Sequence, residues 1–81
     1  MGVKRYTCKS TGTTMVIDAK NPKDAAQQFV DEIMKNLYTV KLKKCTAISM
    51  KRFPDSTVTV IEQGGSGKEL YFQYTSMMPR Y

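Results

Sequence analysis

The chain has 81 residues, 41% of them hydrophobic and 25% charged, which fits one globular domain with a single modest core. Thirteen Lys and Arg against seven Asp and Glu give +6 at neutral pH, a field that favours polyanionic partners such as nucleic acid or an acidic membrane surface. Histidine is absent, which excludes imidazole acid–base catalysis, Ser-His-Asp and Cys-His pairs, and His-rich zinc sites.

Residues 4–9, KRYTCK, alternate as a strand, and STG at 10–12 is turn chemistry. TTMVIDA at 13–19 is rich in β-branched residues and completes a hairpin over 4–19. NPKD then announces a helix. Asn21 is placed to cap it, Pro22 fits the first helical position, and Asp24 faces the positive end of the dipole. Apolar residues at 25, 26, 29, 30, 33, 34 and 37 mark one face and predict a helix over 22–37. Its other face is slightly acidic, which turns it away from any polyanion.

The basic segment 38–45, YTVKLKKC, reads as a short strand or an ordered loop. TAISMKRF at 46–53 reads as a strand with Ile48 and Met50 on one side, and PDS turns the chain. TVTVIEQ at 57–63 and KELYFQYTS at 68–76 alternate cleanly. The stretch 46–76 is therefore expected to form a three-stranded meander, followed by a short tail at 77–81. The expected class is α+β in the order ββαβββ, a single domain over 1–81.

EQGGSGKEL at 62–70 invites a phosphate-binding reading. A P-loop has a glycine where Glu62 stands and a magnesium-binding hydroxyl where Glu69 stands, and a helix follows it. Here a strand follows. The glycines read instead as a hairpin connection with positive φ values.

Cys8 and Cys45 form no C-x-x-C pair and cannot complete a zinc site without histidine, so no metal is expected. Both lie among strand formers and are expected as buried free thiols, with one disulfide in a secreted domain as the other reading. Residues 1–5 lead into no apolar run, and Tyr6 stands where a myristoylation motif has Ser or Thr. No stretch reaches transmembrane length. These features predict an intracellular protein of a reducing compartment, not secreted and with no membrane partner. No paired catalytic groups are visible and so small a chain leaves little room for a pocket. No enzymatic activity, cofactor or small-molecule substrate is expected.

From 35 to 52 there are six basic residues, Lys35, Lys41, Lys43, Lys44, Lys51 and Arg52, and no acidic one. With Lys4, Arg5 and Lys9 on the first strand they are expected to form a continuous basic surface opposite the acidic helix face. Lys68 and Arg80 flank it. Tyr71 and Tyr6 are the residues placed to stack on exposed bases in a single-strand binder, while Phe29, Phe53, Phe72 and Tyr74 read as core, with Met15, Met34 and Met50 at core-facing positions.

Lys4-Arg5-Tyr6, Pro22-Lys23-Asp24-Ala25-Ala26, and Ile48-Ser49-Met50-Lys51-Arg52 before Pro54-Asp55-Ser56 give the chain a further likeness. It resembles the small non-histone chromosomal proteins of methanogenic archaea and their relatives in large double-stranded DNA viruses, over roughly 4–63. The resemblance implies a strongly curved antiparallel sheet, close to a half-barrel, with the helix packed on it. It also implies sequence-tolerant binding of double-stranded DNA with bending or compaction. The archaeal proteins join their last two strands by a long basic arm carrying tryptophan, where this chain has GGSG and no tryptophan. The DNA-contacting residues expected here are Lys4, Arg5, Lys9, Lys41, Lys43, Lys44, Lys51, Arg52, Lys68 and Arg80. The alternative is a virion-packaged structural protein with a loosened DNA grip, a homodimer using Tyr71, Met77, Met78 and Tyr81 near an exposed edge.

Overall fold

A five-stranded antiparallel sheet with one long helix across it forms the body of the computed structural model, which describes residues 2–35 and 37–79. The elements are β1 (Lys4–Ser10), β2 (Thr13–Ala19), α1 (Pro22–Ile33), β3 (Tyr38–Cys45), α2 (Ala47–Arg52), a 3-10 turn (Pro54–Ser56), β4 (Thr57–Glu62) and β5 (Glu69–Pro79). In space the strands run β2-β1-β4-β5-β3. The α+β class expected from the sequence holds, with five antiparallel strands in one sheet, but the strand after α1 lies at Tyr38–Cys45 and a second, short helix follows it.

The alternation of each strand decides its two faces. Tyr6 and Cys8 pair with Ile17 and Met15 on β2 and with Glu62 and Val60 on β4. Val58 and Val60 pair in turn with Phe72 and Leu70, and Tyr74 with Leu42. These side chains share the face that α1 covers with Ala25, Ala26, Phe29 and Val30, all buried. Each large apolar side chain removed from water there contributes about 1.5–3 kcal/mol. Asn21 caps α1 as expected, its Oδ1 accepting from the Asp24 N–H at 2.8 Å. The helix stops at Ile33 and not at 37: Lys35 takes a left-handed φ of 55°, and Leu37 is exposed.

The β4–β5 connection is the hairpin expected, with φ of +79° at Gly64 and +82° at Gly67. The stretch at 46–53 is not a strand. Thr46 caps α2, its Oγ1 accepting from the Ser49 N–H at 3.3 Å. The reason lies in the strand order. β3 and β4 both run antiparallel to β5, which lies between them, so the chain must cross over β5 and cannot turn back as a meander. Ile48-Ser49-Met50-Lys51-Arg52, one of the stretches that carry the family resemblance, thus lies in this helix. Tyr74 ties the crossover down, its hydroxyl donating to the Asp55 carbonyl at 2.8 Å. No α2 residue is buried; Ile48 is 76% exposed and Phe53, expected in the core, is 49% exposed.

Candidate nucleic-acid interface

Strand alternation divides the basic residues between two faces. On the face turned away from α1 lie Arg5 and Lys9 of β1 and Lys41 and Lys43 of β3. Lys4 falls on the helix-side parity, beside Glu62, and so does Lys44, which pairs with Phe72 and borders a hollow with Asn21, Pro22 and Lys23. The single continuous surface expected from the sequence is therefore split, because neighbours along a strand point opposite ways. Lys51 and Arg52 occupy the last turn of α2, where cations suit the negative end of the helix, and both are exposed. Lys68 is exposed in the β4–β5 connection. Arg80 and Tyr81 lie outside the described residues.

The rows across the outward face can be read from the pairing. Lys9 stands beside Thr59, Thr59 beside Tyr71, and Tyr71 beside Cys45, while Lys43 lies one row further along, beside Gln73. With strands about 4.8 Å apart, Lys9 and Lys43 are separated by on the order of 15 Å. Between them the surface is made of Thr59, Tyr71 and Gln73, all half-buried.

The carboxylates near this face are engaged. Arg5 Nε lies 2.9 Å from Asp18 Oδ1, a contact that raises the guanidinium pKa and lowers that of Asp18. Tyr71 donates its hydroxyl to Glu69 Oε1 at 2.5 Å, and that bond raises the phenol above its ordinary range. Lys4 Nζ is 3.8 Å from Glu62 on the other side. Among the described residues, Lys9, Lys41, Lys43, Lys44, Lys51, Arg52 and Lys68 have no carboxylate within ion-pair distance.

Two aromatic expectations change. Tyr6 is 2% exposed, packed under α1 with Cys8, and cannot stack on a base. Tyr71 does face outward, but on β5, an interior strand between β4 and β3, and so not at a sheet edge. The backbone of Met77 and Met78 continues the same strand. Sequence reasoning missed Ile48 and Phe53 as exposed apolar groups beside Lys51 and Arg52; the Thr46–Ser49 capping pair was the signal.

Both cysteines are free. Cys8 is buried, which pushes its thiol up to about 11, and Cys45 is partly buried and raised for the same reason. Among the described residues no group of His, Cys, Asp and Glu is placed to hold a metal ion, and no helix is long and apolar enough to cross a membrane. Comparison with protein-family models, curated proteins and solved structures gives no match for this chain.

Proposed function

We propose that this chain is a non-enzymatic module that binds double-stranded DNA through its phosphates, with little reading of base sequence. One observation carries the reading. Among the described residues, Lys9, Lys41 and Lys43 stand on one sheet face without acidic partners, while the carboxylates near them are committed to Arg5 and Tyr71. Free ammonium groups on a rigid sheet are what phosphate contact uses, and each phosphate neutralised releases condensed counterions.

Lys51 and Arg52 add a second cationic point on α2, with Ile48 exposed on the same short helix. A duplex long enough to reach α2 as well would meet Ile48, an apolar side chain of the kind that wedges into a base step and bends DNA. Bending or compaction is the role that follows. Lys4 and Lys44 are outside the contact, and Arg5 joins it only by releasing Asp18.

The test is fluorescence anisotropy on short duplexes of unrelated sequence. The reading expects affinities that agree within a few-fold and a uniform loss in the triple variant Lys9→Ala, Lys41→Ala, Lys43→Ala. Unchanged binding by that variant, or binding of one sequence only, contradicts it.

A further inference from the structure

The two edges of the sheet are built differently. β3 carries Lys41, Lys43 and Lys44, and its pairing with β5 shifts register between Thr39 and Lys41. Edge lysines and irregular pairing are the devices that stop a strand from recruiting another. β2, the opposite edge, has neither. TTMVIDA contains no lysine and no proline, it is rich in β-branched residues, and it pairs with β1 over its whole length without a shift. At its middle Val16 is 55% exposed on the face away from α1.

The backbone groups that this edge offers can be assigned. The Gln63 N–H donates to the Arg5 carbonyl, so Arg5 turns its backbone toward β4, and Tyr6 and Cys8 turn theirs toward β2. On β2 it follows that Met15 and Ile17 bond to β1, while Thr14, Val16 and Asp18 direct their N–H and C=O groups outward. The Asp18 carbonyl accepts from Gln28 Nε2 at 3.4 Å on that outer side, which agrees with the assignment. That long contact leaves the carbonyl's second lone pair for another donor.

We propose that β2 is a homodimerisation edge, at which a second copy of this chain pairs antiparallel about a twofold axis through Val16. The edge is complementary to itself in that register. Val16 faces Val16 of the second copy, Thr14 faces Asp18, Met15 faces Ile17 and Thr13 faces Ala19. The outward-directed groups of Thr14, Val16 and Asp18 then meet their counterparts as hydrogen-bonded pairs, and no charge is set against a like charge. Met15 and Ile17 line an open hollow with Gln28, Asp31 and Glu32 of α1, so on that side the pairing adds apolar contact to an unfinished rim. A one-residue slip would set Asp18 opposite Met15 in one direction and opposite Thr13 in the other, and in both would bring the wrong backbone groups together.

A second copy is favoured over another strand by the symmetry of these pairs. A twofold axis perpendicular to the sheet also keeps both outward faces on one side. The interface is small beside the roughly 1,600 Å² of a standard complex, so the dimer is weak and concentration-dependent. Each copy carries +6, and Asp31 and Glu32 of both copies flank the seam. Screening of these repulsions makes the dimer tighten with added salt. The inference does not depend on DNA binding.

Sedimentation velocity of the full chain over a concentration series, without DNA, reads the assembly directly. The expected result is a mass rising from monomer toward twice monomer, higher at higher salt, and held at monomer by Val16→Lys with unchanged circular dichroism. Register is read by oxidising Val16→Cys in a Cys45→Ser background. The hydrogen-bonded pair places the two Cα atoms about 5.5 Å apart, within disulfide reach. It should cross-link at least tenfold faster than Val3→Cys, whose position is 65% exposed. A monomer at every concentration, a ladder of higher masses from head-to-tail pairing, or equal cross-linking of the two variants overturns the proposal.

Discussion

Lys4 and Arg5 are adjacent in the chain and are held by carboxylates on opposite faces of the sheet: Lys4 by Glu62 at 3.8 Å, Arg5 by Asp18 at 2.9 Å. The pairing matters for function because it takes two cations out of the free set and leaves Lys9, Lys41 and Lys43 as the outward ones. Releasing Arg5 should therefore help binding. Asp18→Asn is expected to raise duplex affinity and to increase the slope of log affinity against log salt by about one unit, as one further phosphate contact does. Anisotropy titrations at several salt concentrations measure both.

The split of the basic residues makes a second prediction. Lys43→Ala should weaken duplex binding and lower the salt slope by about one. Lys44→Ala, its neighbour on the opposite face beside Phe72, should leave both close to the unmodified protein. Equal losses from the two variants would mean that duplex is not held on the outward face.

If the proposed module bends DNA, Ile48 is the side chain expected to do it. Ile48→Ser removes an exposed apolar side chain from an element with no buried residue, so stability should change by less than about 0.5 kcal/mol. Affinity at low salt should fall little, while the energy-transfer change that reports duplex bending should shrink.

Stability has a pH signature of its own. Burial lifts the Cys8 thiol from its ordinary 9.0 to about 11, so the folded state keeps a proton that the unfolded chain has released. That contribution is complete below pH 9 and is lost as pH rises toward about 11. Urea midpoints should fall across this window, and Cys8→Ala should flatten the fall while lowering stability throughout.

Much of this fold is legible in the chain because local chemistry is strong where it matters. Asn21 and Pro22 mark the helix start without ambiguity, and the glycines at 64 and 67 mark a hairpin. The stretch 46–53 misleads because Ile48 and Met50 suit a strand face as well as one turn of helix. The decision belongs to β5, which comes later in the chain and occupies the space between β3 and β4. Strand order is non-local in the same sense: nothing near β1 announces that β4 lies beside it. Tyr6 was readable in principle, since it shares its parity with Cys8, a residue type seldom left on the surface. The basic site was legible as a count of lysines. Its division between faces was not, because it depends on which side of each strand the helix covers.

The most direct test of the central claim is duplex affinity against salt for the unmodified chain, with random-sequence DNA between about 50 mM and 200 mM. The account predicts a linear fall in log affinity with log salt, with a slope of about three or more from Lys9, Lys41, Lys43 and the α2 cations. Absence of binding at the lowest salt, or an affinity indifferent to salt, contradicts it.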